Sequence, residues 1–294
     1  MFQFFANIFG YLLNFINNFV GNYGLAIILF TVLIKIIMLP LSIKQQRTMK
    51  KSTELNEKIK VLQFKYKNDP EKLNREMMDL YKKENMSPFS GCLSTIAQFI
   101  LLISIFYMVR CPLTYMEKIN NDQINTYVQQ LKDGGITVNQ AYSEIDIIRE
   151  LDYLKEKMPE DEGLNKINLN MNFCGLDLSK IPQQNLNDWT VYIIPALYII
   201  STFISMKITT SMQKKSKKND GVIDITEKEE KDSKEEKNEM EDMMEQSNKM
   251  MSWMMPIMSV SISLVAPLGL ALYWLVNNIL MIGERLVLNK IIKD

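Results

Sequence analysis

The stretch YGLAIILFTVLIKIIMLPLSI at residues 23–43 carries a single charged side chain, that of Lys35. A helix of about 20 predominantly apolar residues crosses the hydrocarbon core of a bilayer, which is about 30 Å thick. The stretch therefore predicts a transmembrane helix. We expect an integral membrane protein rather than the two soluble domains that a length of 294 residues would otherwise suggest.

The other apolar runs predict four more spans. The longest, residues 250–283, contains no charge and would be about 51 Å long as one helix, which exceeds the bilayer core. Pro267-Leu268-Gly269 predicts a turn near its middle, so we divide the run into two spans. We assign no acidic partner to Lys35 within the membrane. The five predicted spans cover residues 23–43, 92–110, 189–208, 250–266 and 268–284.

The distribution of charge predicts the orientation. Residues 44–88 contain 12 basic and 7 acidic side chains, whereas residues 111–188 contain 7 basic and 13 acidic ones. Cytoplasmic loops of membrane proteins carry an excess of Lys and Arg. We therefore expect residues 111–188 outside the cell. The segments expected in the cytoplasm are residues 44–91, the Lys/Glu-rich loop 209–249 and the tail 285–294.

Residues 1–22 contain no charged side chain, but their polar residues recur with helical spacing at Gln3, Asn7, Gly10, Asn14 and Asn17. This pattern predicts an amphipathic helix that lies in the outer membrane interface, with the N-terminus outside. The alternative is an additional span that starts in the cytoplasm, which would leave the rest of the topology unchanged. The predicted fold is thus an all-α integral membrane protein with five spans and an N-terminal interfacial helix.

Residues 44–91 predict an antiparallel helical hairpin in the cytoplasm. Asp69 is suited to cap the second helix and Pro70 to be its first residue. The hairpin either packs only on itself or serves as a docking arm for a partner, and periodicity does not separate these readings. Its apolar seams consist of Leu55, Ile59, Leu62 and Tyr66 in the first helix and Leu73, Met77 and Leu80 in the second.

Residues 111–188 predict short helices and loops without strands. Cys111 and Cys174 both fall in this segment, where an oxidising setting would permit a disulfide. Closing the loop would stabilise the segment by about 4 kcal/mol in the chain-entropy model. Free thiols are the favoured alternative, because a source with little oxidant would leave the cysteines reduced.

Composition excludes several classes of function. The chain has no histidine, which removes His-ligated zinc and Ser-His-Asp triads, and its three cysteines form no metal-binding pattern. The net charge is zero, which argues against a nucleic-acid-binding protein. We find no motif for catalysis, a nucleotide or a cofactor, so we expect no enzyme, no cofactor and no metal.

Lys35 requires an explanation, because it lies about 18 Å along its helix from the outer end. A Lys at the centre of a span costs about 2.5–3.5 kcal/mol on insertion scales and usually faces water or a partner. Its side chain either reaches towards the cytoplasmic headgroups or lines a hydrated groove. Polar residues in the predicted spans favour the groove. The candidate lining residues are Lys35, Thr31, Gln98, Ser201, Thr202, Trp274 and Asn277.

Five stretches closely resemble YidC-type membrane protein insertases, the family that includes the mitochondrial oxidase-assembly and chloroplast Albino proteins. The absence of a large outer domain resembles Gram-positive members. The matching stretches are NYGLAIILFTVLIKIIMLPLSIKQQRTMKK, KIKVLQFKYKNDPEKLNREMMDLYKKENMSPFSGC, CPLTYM, NFCGLDLSKIP and MMSWMMPIMSVSISLVAPLGLALYWLVNN.

The resemblance implies an insertase of the bacterial plasma membrane that shields the transmembrane segment of a client during its entry into the bilayer. The positive groove residue of the family, usually Arg, corresponds to Lys35. Nascent membrane proteins are the implied clients, and the Sec translocon, the signal recognition particle pathway and the ribosome are the implied partners. A different class, a solute or ion transporter with Lys35 as an anion site, would require an internal repeat that we do not find.

Overall fold

The computed structural model describes residues 2–66, 69–84, 90–219 and 260–291, and these residues are mostly helical. The expectation of an all-α protein is thereby confirmed in its coarse form. Residues 260–265 are also helical. The named α-helices are α1 (Phe2–Val20), α2 (Tyr23–Lys65), α3 (Pro70–Lys83), α4 (Ser90–Arg110), α5 (Pro112–Tyr115), α6 (Asn121–Asp133), α7 (Ser143–Arg149), α8 (Leu151–Lys157), α9 (Glu162–Lys166), α10 (Ile193–Asn219) and α11 (Leu268–Ile291).

Three helices in the described part of the chain are long and apolar enough to cross a membrane: Tyr23–Thr48, Trp189–Ser211 and Leu268–Leu288. They agree with the first, third and fifth predicted spans. In α4, the part whose side chains are continuously described, Phe99–Arg110, is also apolar, and the second predicted span, residues 92–110, stays a prediction. Most of the predicted fourth span, residues 250–259, lies outside the described residues. The total of five spans therefore stays a prediction.

The long helices meet at residues 111–188, which we call the head region. Helix α4 ends at Arg110, directly before the head region, and α10 begins at Ile193, shortly after it. The backbone N–H of Tyr23, at the start of α2, donates to the carbonyl of Asn170 (3.0 Å). Leu268 and Gly269, at the start of α11, donate to head-region carbonyls at 2.9 Å. α2, α10 and α11 therefore all run away from the head region, while α4 runs towards it.

The start of α10 is held by charge. Lys180 Nζ donates to Asp188 Oδ2 at 2.8 Å, and Asp188 Oδ1 accepts from the backbone N–H and the hydroxyl of Thr190 at 3.0 and 2.6 Å. These bonds favour the ionised carboxylate and lower the pKa of Asp188 to about 2. The 3₁₀ turn Trp189–Tyr192 follows directly and leads into α10.

Helix α1 contacts the head region through its polar residues. Asn14 Nδ2 donates to the carbonyl of Met116 and Asn17 Nδ2 to that of Asn168, both at 3.0 Å, and Asn7 Oδ1 accepts from Lys118 Nζ at 2.9 Å. Gly10 lies so close to Tyr115 that an added Cβ would be 2.1 Å from its carbonyl oxygen. The amphipathic helix is as predicted, and its place in the membrane interface stays a prediction.

Helix α2 is continuous over 43 residues and includes Pro40. The first arm of the predicted hairpin is thus the extension of the first predicted span. Asp69 accepts from the backbone N–H of Lys72 (3.0 Å) and Pro70 is the first residue of α3, as the sequence predicts. Lys58 forms an ion pair with Glu84 beyond the end of α3, so the two helices are antiparallel.

The apolar seam of this helix pair is only partly buried. Leu55 and Ile59 are buried, whereas Leu62, Met77 and the other seam residues of α3 are half-buried. A surface that is still partly open is compatible with both readings of the hairpin, the self-packed one and the docking arm. Its position in the cytoplasm stays a prediction.

The head region contains a small hairpin that the sequence analysis does not predict. Strand β1 (Asn172–Phe173) pairs antiparallel with β2 (Leu176–Asp177). Cys174 and Gly175 between them have positive φ angles of 52° and 79°, the combination that a two-residue turn requires. The expectation of no strand is wrong here. The sequence signal is weak, because only Gly175 favours this conformation intrinsically.

Both cysteines of the head region are free thiols, so the disulfide alternative is not realised. Cys174 is exposed in the hairpin turn. Cys111 begins the head region beside Glu144, which accepts hydrogen bonds from the backbone N–H and the hydroxyl of Thr114 at 3.0 and 2.6 Å. Burial raises the pKa of the Cys111 thiol to about 12, and the Glu144 carboxylate acts in the same direction.

Candidate functional site

Lys35 is paired. Its Nζ lies 3.4 Å from Glu284 Oε2 of α11, and the two side chains are 21% and 14% exposed. The expectation that Lys35 has no acidic partner within the membrane is wrong, because α11 continues past Gly283 to Ile291 and carries Glu284 inside its apolar segment, Leu268–Leu288.

The geometry of the pair follows from the shared starting level of the two helices. Lys35 lies 12 residues after Tyr23 and Glu284 lies 16 residues after Leu268. At 1.5 Å per residue these positions are about 18 and 24 Å from the head region. The Lys side chain therefore extends away from the head region to reach the carboxylate, a direction that agrees with snorkelling and with a groove open at that end.

A second polar contact joins α10 and α11. Asn278 Nδ2 donates to Ser201 Oγ at 2.9 Å and to Thr202 Oγ1 at 3.1 Å. The two hydroxyls donate in turn to the carbonyl of Tyr198 at 2.7 and 2.9 Å. Asn278 and Ser201 are buried. This cluster holds two helices together, a common use of small polar residues in membrane bundles.

About two helical turns further along, Arg285 Nη1 donates to Thr209 Oγ1 of α10. Asn278 and Arg285 are seven residues apart, as are Thr202 and Thr209, so α10 and α11 keep a constant parallel register. Neighbouring residues on a helix point about 100° apart. α11 therefore directs the acid Glu284 towards α2 and the base Arg285 towards α10.

The other predicted lining residues differ in their surroundings. Thr31 is buried, and its hydroxyl donates to the carbonyl of Ile27 on its own helix at 2.6 Å. Trp274 and Asn277 are half-buried on α11, and the Trp274 ring lies 6.1 Å from that of Tyr198. The side chain of Gln98 lies outside the described residues.

Sequence reasoning missed Glu284 because it is the last residue of the fifth predicted span, 268–284, and it missed Arg285 because the predicted tail begins there. A signal was present in the spacing. Glu284 lies seven residues after Asn277, and Arg285 seven after Asn278, so each charge shares a helix face with a polar residue already singled out. The partner of Glu284 is 249 positions away in the chain and carries no such signal.

Residues 15–294 match the family described as 60Kd inner membrane protein, a range that includes every element of the site from α2 to α11. The chain belongs to this family. Its relatives in the 60Kd inner membrane protein family include proteins named Membrane protein insertase YidC. The one from Caldanaerobacter subterraneus subsp. tengcongensis is 48% identical over 101 residues, which are 34% of this chain and 49% of that protein.

A second relative of the same name, from Francisella tularensis subsp. novicida, is 46% identical over 109 residues, which are 37% of this chain and 20% of that protein. The matched stretches thus span half or less of these two relatives.

The contact between α10 and α11 predicts a stability effect. Asn278→Ala removes the donor of both interhelical bonds, and we expect a loss of about 1–3 kcal/mol in the free energy of unfolding. Thermal unfolding in detergent measures it. The matched control is Asn277→Ala on the neighbouring, half-buried position, which should lower the melting temperature less. Equal losses for the two variants would contradict the assignment.

Proposed function

We propose that the chain is a membrane protein insertase, which receives transmembrane segments of client proteins in a hydrated, positively charged groove and releases them into the bilayer. The family match and the name of the relatives, Membrane protein insertase YidC, support the activity. The observation that carries the groove is Lys35, a cation in the interior of one helix that is long and apolar enough to cross a membrane, 3.4 Å from Glu284 of another.

The proposed topology has five spans in the bacterial plasma membrane, with the head region outside and the α2–α3 pair and the C-terminus in the cytoplasm. The acidic excess of residues 111–188 and the basic excess of residues 44–88 support this orientation. In this frame the side chain of Lys35 extends towards the cytoplasm, so the groove opens to the side from which clients arrive.

The groove lowers the cost of moving a polar outer segment of a client across hydrocarbon. Each unpaired polar group there costs several kcal/mol, and a charged group costs more. A client carboxylate about 4 Å from Lys35 is attracted by about 4 kcal/mol at an effective dielectric constant of 20, before the costs of desolvation and of replacing Glu284. This gain offsets part of the entry cost and still permits release. In this proposal Trp274 and Asn277 line the groove. Thr31, Ser201 and Thr202 contribute to the packing of the helices that form it.

The clients in this proposal are nascent membrane proteins, and burial of their apolar residues in the bilayer drives insertion without a cofactor. The α2–α3 pair is the proposed docking arm for a client or targeting factor. The Sec translocon, the signal recognition particle pathway and the ribosome are its candidate partners. The seam of the pair, which includes Leu62 and Met77, is half-buried and leaves apolar surface available for such a contact.

Accessibility of position 35 tests the groove and the orientation together. In a Cys92→Ser, Cys111→Ser background, Lys35→Cys should react with a membrane-impermeant maleimide in inside-out vesicles, because the groove admits water from the cytoplasm. Native Cys174, which is exposed in the head region, is the matched control and should react only from the outside. If the thiol at position 35 did not react in the vesicles, the proposal of a hydrated groove would be excluded.

The charge of residue 35 should matter more than its identity. Lys35→Arg should retain the insertion of clients with acidic outer segments, while Lys35→Glu should reduce it at least about tenfold through like-charge repulsion. Protease protection of the outer segment in vesicles measures insertion. Equal insertion by the two variants would leave only a snorkelling role for Lys35.

The docking arm predicts a loss of function without loss of the bundle. Leu62→Pro breaks the last turns of α2, so insertion should fall while the spans stay protease-resistant. Leu62→Ala keeps the helix and should retain most of the insertion. If Leu62→Pro made the spans themselves protease-sensitive, the arm would be part of the folding core and this role would be excluded.

A further inference from the structure

The charge of Lys35 is already balanced by a residue of this chain. The charges of Lys35 and Glu284 sum to zero. Among the described residues, they form the only ion pair between α2 and α11. A site with a free cation would attract acidic client segments and repel basic ones. A site that presents a cation and an anion together can pair with either sign, even though Arg285 beside Glu284 keeps the local sum of charges positive.

We infer that Glu284 is a specificity-determining residue, which makes the groove accept client segments of either charge. An acidic outer segment pairs with Lys35, and a basic one pairs with Glu284. This inference rests on the proposed insertase function and goes beyond it, because that function requires only the cation.

The contact between Lys35 and Glu284 is long for an ion pair. Its single contact, Nζ to Oε2, is 3.4 Å long, whereas charge-assisted hydrogen bonds between ammonium and carboxylate are usually about 2.7–2.9 Å. The head-region pair between Lys180 and Asp188 has such a length, 2.8 Å. A long, single contact between partly exposed side chains is easily exchanged for a contact with a third charge.

Space beside the acid also favours exchange. Gly283 precedes Glu284, is exposed, and would accept a Cβ with no atom within 4 Å. Arg285 on the other side is engaged with Thr209 of α10. The backbone next to Glu284 is therefore uncovered at Gly283, and the Glu284 side chain keeps 14% of its surface exposed, while Arg285 stays on the α10 side.

Exchange proceeds by ion-pair replacement in both directions. A client carboxylate takes the place of Glu284 on Lys35, and the released Glu284 carboxylate is hydrated at the groove. A client ammonium or guanidinium takes the place of Lys35 on Glu284, and the released Lys35 ammonium is hydrated. The number of ion pairs is conserved in each case, so neither sign of client is strongly favoured.

A client series tests the inference. The probes are one apolar 20-residue segment preceded by an outer segment with three Asp, no charge or three Lys. Their capture is measured as crosslinking to a photoreactive residue at Leu39, an exposed position one turn from Lys35. Glu284→Gln should raise the acidic-to-basic capture ratio about tenfold, and Lys35→Gln should lower it by a similar factor.

Glu162→Gln is the matched control, because it removes the acid of an exposed Lys–Glu pair in the head region and should leave the ratio unchanged. Equal losses of all three clients in Glu284→Gln would reduce Glu284 to a structural role and overturn the inference. So would an unchanged ratio. Failure of every client to crosslink with any variant would instead remove the insertase proposal, and the inference with it.

Discussion

The backbone hydrogen bonds between the head region and the starts of α2 and α11 determine the arrangement of the rest. Tyr23 and Leu268 are each fixed to a carbonyl of this region, so two helices that are distant in sequence begin at one level. Lys35 and Glu284 then come within reach of each other about 20 Å further on, without any local contact that would align them. The alignment of α2 and α11 where they begin thus determines which side chains meet near their other ends.

The contact between Lys35 and Glu284 has a substantial electrostatic term. At 3.4 Å and an effective dielectric constant of 20, the attraction is about 5 kcal/mol, and desolvation of the two groups opposes it. The neighbouring contacts of α11, from Asn278 to Ser201 and Thr202, are hydrogen bonds between neutral groups. A charged ligand can therefore compete for the ion pair of Lys35 and Glu284, while these neutral hydrogen bonds keep α10 and α11 together.

The sequence predicts features that depend on spacing along one helix and misses those that depend on its rotation. Asp69 and Pro70 begin α3 as expected, since capping is local. Thr31 shares a face with Lys35, but its hydroxyl bonds to its own helix. Ser201 and Thr202 turn to α11, and Glu284 turns to α2, because packing between helices sets which side each one presents. The long apolar helices are hydrophobic on nearly all sides, so their hydropathy gives little information about that rotation.

The contact between helix α1 and the head region determines where the aromatic face of α1 lies. Gly10 is pressed against the backbone of Tyr115, while Phe15 and Phe19, about half a turn away around the helix, are 73% and 86% exposed. An added Cβ at position 10 would clash with the backbone of Tyr115, so any larger residue there would push α1 off the head region and move these two rings with it. The absence of a side chain at position 10 therefore determines where the aromatic face of the helix lies.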